Sequence, residues 1–219
     1  MRAMILAAGR GERMGELTRD VPKPLLQVAG RYLIEYPLLA LAKLGISDIV
    51  INICYRGEQI KTALGNGERY GVTLHYSEEE TALETGGGIY QALPLLGENP
   101  FIVLSGDVIT DFPLQRLPVE PTGLAHLVLV NNPLFHPQGD FCLEDKQIYY
   151  GKKETLTFAN IGVYHPALFA DCQPGRFRLG EILKKAVLAH QVTGEHYLGQ
   201  WHNVGSAQEL IVANTQVSA

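Results

Sequence analysis

The sequence predicts an α/β fold built on a largely parallel sheet covered by helices on both faces. Three observations predict it. Short apolar, β-branched or leucine-rich runs recur through the first half of the chain. Helical patterns alternate with them. The first run empties into a glycine-rich loop, the position where sheets of this kind hold their ligands.

The elements follow in order. From Ala3 the run AMILAAG reads as a buried strand. Leu33 to Gly45, LIEYPLLALAKLG, reads as a helix with Pro37 near its first turn and Gly45 as its stop. SDIVINICY (Ser47 to Tyr55), VTLHYS (Val72 to Ser77), PFIVLSGD (Pro100 to Asp107) and GLAHLVLVN (Gly123 to Asn131) are further strands bounded by Gly, Pro or Asp. Helical patterns near Glu58 to Leu64 and Ile89 to Leu96 continue the alternation.

After about Asn131 the texture changes. DFCLEDKQIYYG predicts a hairpin turning near Glu144, Asp145 and Lys146, and LTFANIGVYHP predicts another strand. LGEILKKAVLAHQ is amphipathic, EHYLGQWHNVG is strand-like, and SAQELIVANTQ closes as a helix with Ser206 as its N-cap. No repeat or linker divides the chain, so a single domain over residues 1–219 is expected, with its texture changing at about residue 130.

Bulk properties narrow the function. With 219 residues and 46% hydrophobic content, one sizeable core can form. Mean hydropathy is near zero, and no apolar run approaches the roughly 18 residues of a membrane span. The first run is too short for the apolar core of a signal peptide, so a cytoplasmic protein with no membrane partner is expected. The net charge of −5 argues against a nucleic-acid footprint. Cys54, Cys142 and Cys172 are odd in number and widely spaced, which suits reduced thiols rather than disulfides or a zinc site.

Against that acidity stands LAAGRGERMGELTRDVPKP, Leu6 to Pro24, with three glycines and four basic residues. It matches neither G-x-G-x-x-G nor the Walker A pattern. Gly9 and Gly11 allow close approach of backbone to ligand, and N–H groups with Arg13 can cradle phosphate oxygens. Lys23, between two prolines, is a point charge on a restricted backbone. A solvated surface loop is the bland alternative, and the residues alone leave it open.

Three further stretches carry chemistry. LSGD ends a strand and puts Asp107 at the same sheet edge, suited either to Mg²⁺ or to a turn. ETGGGIYQAL places Gly86 to Gly88 at a helix entrance, where bare backbone can lie against a flat base. QWHNVGSA offers Asn203, a possible metal ligand or a turn residue before Gly. None of the seven histidines shows paired ligand spacing.

LAAGRGERM…PKP, LETGGG, SGD and WHNVG, in this order, resemble the sugar-1-phosphate nucleotidylyltransferases over nearly the whole chain. GLAHLVLVNNP, GDF, LTFANIGVYHPALF and GEHYLGQW are similar to the N-acetylmuramate-1-phosphate uridylyltransferases of peptidoglycan recycling. The resemblance implies a Rossmann-like three-layer α/β/α fold with a mixed, mostly parallel sheet and a small α+β sugar-binding extension. It implies UTP and a sugar 1-phosphate as substrates, Mg²⁺ as cofactor, and a monomer or weak homo-oligomer.

Carried residue by residue, the resemblance sets the nucleobase against Leu6, Ala8, Gly9 and the stretch Glu84, Thr85, Gly86 and Gly87. It sets the triphosphate on Gly11 and Arg13, with Lys23 near the reacting centre, and makes Asp107 a metal ligand. Asp140, Asn160 and Gly162 go to the sugar. Asn203 stands where close relatives resemble W-x-D-V-G, so an amide replaces their second metal-binding aspartate. Two alternatives stay open: another base and sugar pair, such as GTP with mannose 1-phosphate or dTTP with glucose 1-phosphate, and a nucleotide-sugar sensor whose chemistry is impaired.

Overall fold

A computed structural model describes residues 1–151 and 153–217. Nine strands form one twisted sheet. In chain order the strands are β1 (Arg2–Leu6), β2 (Gln27–Val28), β3 (Arg31–Tyr32), β4 (Asp48–Ile53), β5 (Thr73–Glu78), β6 (Phe101–Ser105), β7 (Val108–Thr110), β8 (Ala125–Val130), β9 (Cys142–Glu144), β10 (Gln147–Tyr149), β11 (Thr157–Tyr164), β12 (Val192–Tyr197) and β13 (Trp201–Asn203). The helices are α1 (Glu35–Lys43), α2 (Gly57–Leu64), α3 (Glu84–Leu96), α4 (Leu179–Leu188) and α5 (Ala207–Val217).

The main sheet runs β5-β4-β1-β6-β11-β8-β12-β10-β9. β5, β4, β1 and β6 are parallel neighbours; β11 lies antiparallel between β6 and β8, and β12 returns parallel to β8. Only β11 and β10 oppose the common direction, so the sheet is mixed and mostly parallel as expected. Apart from β13, which pairs with β7 in a separate two-stranded ribbon, the second half extends the same sheet.

Burial on both faces explains the continuous apolar strands. Ile5, Ile49, Ile51, Ile102 and Leu104 face α1 and α2, packing with Leu38, Leu41, Ile60 and Leu64. Their neighbours Met4, Val50, Phe101 and Val103 face the opposite way, against Ile89, Leu96, Leu183 and Val187 of α3 and α4. Truncating one fully buried residue such as Leu41 to alanine costs about 2–5 kcal/mol. A third cluster joins Met14 of the opening loop to Val28, Leu33, Ile109, Val204 and Ala213. It fastens the loop to α5 and to the small β7–β13 ribbon.

Local signals were accurate where turn chemistry is explicit. Gly45 follows α1 at φ +87°, and the β9–β10 hairpin turns on Asp145 and Lys146, both at positive φ. Ser206 Oγ accepts from Glu209 N at 3.3 Å, the expected cap of α5.

Two expectations need correction. EHYLGQWHNVG is not one strand: β12 ends at Tyr197 in the main sheet, while Trp201–Asn203 pairs with Val108–Thr110. α3 begins at Glu84, so the glycine run lies inside its first turns rather than ahead of it. Tertiary packing there overrides the poor helix propensity of glycine.

Candidate active site

Four consecutive parallel strands deliver their carboxyl ends to one cleft of about 490 Å³, within the range of small-molecule sites. Leu6 closes β1 and leads into the glycine loop, Asn52 lies near the end of β4, Glu79 follows β5, and Asp107 follows β6. The lining also takes in Glu84 and Thr85 of α3, Asn160 of β11, and Gly205.

The opening loop is held at several points. Gly11 takes a left-handed φ of +70°, and a Cβ there would fall 2.9 Å from Lys23 Cβ, so this glycine lets Lys23 pass close by. Gly9 is different: nothing lies within 4 Å of where its Cβ would point. Thr18 Oγ1 donates to Gly11 O at 2.9 Å, while the Tyr55 hydroxyl donates to Arg19 O at 2.8 Å and Arg56 to the same carbonyl at 2.8 Å. Arg13 reaches back toward α5, where a Cβ on Gly205 would stand 2.8 Å from its guanidinium nitrogen.

Pro22-Lys23-Pro24 forms a tight turn, with Leu25 N bonded to Pro22 O at 2.9 Å. It aims Lys23 inward. Its Nζ forms an ion pair with Asp107 Oδ2, and Ser105 Oγ donates to Asp107 Oδ1 at 2.6 Å. Both carboxylate oxygens are therefore occupied by donors. Asp107 and Lys23 are mostly buried, with side chains 22% and 12% exposed, so their attraction is only partly screened.

Asn203 pairs with Val108 in the β7–β13 ribbon, and the following Val204 N donates to Asp107 O at 2.9 Å. The Asn203 Oδ1 atom is buried and has no hydrogen-bond partner among the described residues. The Asn203 backbone is thus held next to that of Asp107, and a carboxylate with an unpartnered amide oxygen is the hard-oxygen donor type that Mg²⁺ takes, although Asn203 itself does not line the cleft. Among the described residues no group of three or more His, Cys, Asp or Glu could hold a metal ion by itself.

Asn160 sits where β11 breaks register between Phe158 and Gly162, at φ +58°. Asparagine tolerates that left-handed conformation, and the irregularity brings it to the cleft wall. Gly162 lies instead inside β11, paired with Val103 and Leu127, where a Cβ would press on His126 O at 3.0 Å. Asp140 also lies off the cleft lining: it accepts from Phe158 N at 2.8 Å and bonds His136 at 3.1 Å. The structure thus gives Gly162 and Asp140 packing and loop-fixing contacts rather than a place on the cleft wall.

The glycine run also acquires a packing reason. A Cβ on Gly86 would lie 2.6 Å from the Phe177 ring, and one on Gly87 would lie 2.2 Å from Gly175 O. Segment 175–178 closes over the start of α3, bonding Phe177 N to Leu83 O at 3.1 Å and Gly87 N to Phe177 O at 3.0 Å. Glu84 accepts from Arg176 at 2.7 Å, and this bond holds its carboxyl below the usual range. Leu6, Ala8, Gly9, Gly11, Arg13, Lys23, Glu84, Thr85, Asp107 and Asn160 do line the cleft together, whereas Gly86, Gly87 and Asn203 lie off its lining.

Asn52, Glu79 and Ser105 belong to the site without having been marked by the sequence. Asn52 offered a signal, being the polar residue within the apolar run IVINI. Glu79 offered none, since it sits in the acidic run Glu78 to Glu80 that reads as a solvated turn.

Residues 2–119 match the family model described as nucleotidyl transferase. The chain is 43% identical to the N-acetylmuramate alpha-1-phosphate uridylyltransferase of Neisseria meningitidis serogroup B, with 100% of this chain and 99% of that protein aligned. It is 32% identical to the protein of the same name from Caulobacter vibrioides, over 99% and 96% of the two lengths. A solved Bacillus anthracis protein described as a glucose-1-phosphate thymidylyltransferase, in complex with sucrose, shares the fold at a TM-score of 0.85 and 20% identity, covering 98% of this chain and 94% of that one. With the family's match spanning β1 to the segment beyond Asp107, and relatives aligned end to end, the chain belongs to the nucleotidyl transferase family and is a nucleotidyltransferase.

Proposed function

We propose that the chain transfers UMP from UTP to N-acetyl-α-muramate 1-phosphate and releases pyrophosphate, as a step in peptidoglycan recycling in the cytoplasm. The observation that carries this reading is the identity with two proteins of that name, which continues through the second half of the chain where the sugar is expected. The cleft geometry supports the reaction class: a glycine-rich cationic loop faces a strand-end carboxylate at one sheet edge.

The chemistry needs little from a general base. The second pKa of a phosphate monoester is about 6, so the attacking oxygen of the sugar phosphate is already largely ionised at neutral pH. The obstacle is the meeting of two polyanions. Positioning and charge neutralisation must therefore carry catalysis.

Lys23, fixed by its prolines, offsets charge that develops around the α-phosphorus, and Arg13 with the loop amides holds the departing pyrophosphate. Asn160, on the cleft lining, would orient the acceptor sugar. Asp107 and the Asn203 amide oxygen would hold Mg²⁺, which supplies electrostatic screening between the α-phosphate and the incoming phosphate.

The test is Mg²⁺-dependent pyrophosphate release with UTP, dTTP, CTP, GTP and ATP, each paired with N-acetylmuramate, N-acetylglucosamine, glucose or mannose 1-phosphate. Release confined to UTP with the muramate is expected. A different preferred pair would move the substrate assignment while keeping the reaction. A folded protein that binds nucleotide and releases nothing would favour a sensor.

A further inference from the structure

Behind the nucleotide cleft lies a short polar bridge in an otherwise apolar region. Ala7 N donates to Asn52 Oδ1 at 2.9 Å, Asn52 Nδ2 donates to Glu79 Oε1 at 2.7 Å, and Leu83 N donates to Glu79 Oε2 at 2.9 Å. Asn52 is 3% and Glu79 6% exposed, and both touch the cleft. Gly88 makes the bridge possible: a Cβ there would fall 2.6 Å from Glu79 Oε1 and 2.8 Å from Asn52 Nδ2.

The two ends of the bridge adjoin two different parts of the cleft lining. Ala7 begins the glycine loop after β1, while Leu83 immediately precedes Glu84 and Thr85. Glu79 N is itself bonded to Ile53 O at 2.8 Å, so the carboxylate projects from a backbone tied to β4. A buried carboxylate is costly unless fully hydrogen-bonded, and this one spends both oxygens on the connection.

The polarity of the bridge is dictated by its ends. Both Ala7 N–H and Leu83 N–H can only donate, so each must meet an acceptor, and one donor must remain between the two side chains. Asparagine with glutamate satisfies this. Asparagine with glutamine cannot, because either amide orientation sets donor against donor; aspartate with glutamate sets two carboxylates together. Aspartate at 52 with glutamine at 79 satisfies every contact again, with the charge moved from one residue to the other.

We propose that Asn52 and Glu79 are positioning residues for the nucleotide, a buried bridge that sets the separation of the glycine loop and the start of α3 without supplying the reacting groups. The inference rests on the reading of this cleft as the nucleoside triphosphate site. Its signature is reciprocal: each single isosteric change breaks the bridge and the double change rebuilds it.

The experiment compares wild type, Asn52→Asp, Glu79→Gln and the double variant by UTP affinity in calorimetry, by KM for UTP and for the sugar 1-phosphate, and by thermal midpoint. Each single change is expected to weaken UTP binding about tenfold or more, the scale of one unsatisfied buried polar group, with the KM of the sugar 1-phosphate unchanged. The double variant is expected to return to within about threefold of wild type, because the coupled pair restores what each change removes. Should the single variants fail to fold, a double variant that folds and binds UTP within about threefold of wild type supports the bridge, and one that folds but binds UTP weakly overturns it.

A double variant as impaired as the worse single one overturns the proposal. So do single variants whose thermal midpoint falls while UTP affinity stays the same, since that leaves a purely structural contact. Wild type that binds UTP but transfers nothing would sink the reaction proposed above and leave this comparison intact; wild type that does not bind UTP sinks both.

Discussion

Lys23 and Asp107 form an ion pair within the cleft although 84 residues separate them in the chain. The pair joins the rigid Pro-Lys-Pro turn to the end of β6, so the cation of the loop and the carboxylate of the sheet are organised before any substrate arrives. Preorganisation of this kind removes reorganisation from the reaction itself.

Removing the cation tests that role. Lys23→Ala is expected to lower kcat by about 10²-fold or more, the scale for losing one preorganised charge-stabilising donor. Steady-state kinetics of pyrophosphate release check it, and near-normal turnover would reduce Lys23 to a structural partner of Asp107.

The proposed metal site carries a prediction of opposite sign. Asn203→Asp turns the neutral amide that carries the unpartnered oxygen into a negative ligand, and should lower the Mg²⁺ concentration needed for half-maximal turnover. Asp107→Ala should abolish Mg²⁺-dependent turnover. Titration of activity against Mg²⁺ reads both, and an unchanged Mg²⁺ curve in Asn203→Asp would remove Asn203 from the site.

The glycine run predicts a stability effect. Gly87→Ala puts a methyl 2.2 Å from Gly175 O, a backbone atom that cannot rotate away. Overpacking of this kind costs about 1–3 kcal/mol, so the denaturation midpoint should fall accordingly. Gly9→Ala, where nothing lies within 4 Å, should leave that midpoint nearly unchanged.

Acid should weaken the fold in a window set by histidine. Burial pushes His126 below its ordinary pKa, against an opposing pull from Glu195, and burial also lowers His196 and His202. The folded state thus binds fewer protons than the unfolded chain near neutrality. Stability is fully present above the unfolded value of about 6.5 and declines as pH falls toward the depressed folded values. Asp48 and Glu84, whose carboxyls are held low, add a second loss only in more acid solution. Denaturant midpoints between pH 7.5 and 5.5, in wild type and His126→Gln, check the first window: the variant should show a shallower decline, and an equal slope would exclude His126.

By itself the sequence determined the alternation of strands and helices, the caps at Gly45 and Ser206, the hairpin at Asp145 and Lys146, and a glycine-rich loop leaving the first strand. Those features follow from periodicity and turn chemistry, which act over a few residues. Only the tertiary structure decided that Asn52 and Glu79 form one bridge, that Gly86 to Gly88 make room for Phe177, Gly175 and that bridge, and that Asn160 reaches the cleft while Gly162 and Asp140 do not. It also split the run from Glu195 to Gly205 between two sheets. Each of these depends on strand order and on which distant backbone lies alongside, and neither is encoded in any short stretch of residues; a glycine looks the same in sequence whether a ligand or a phenylalanine fills the space it leaves.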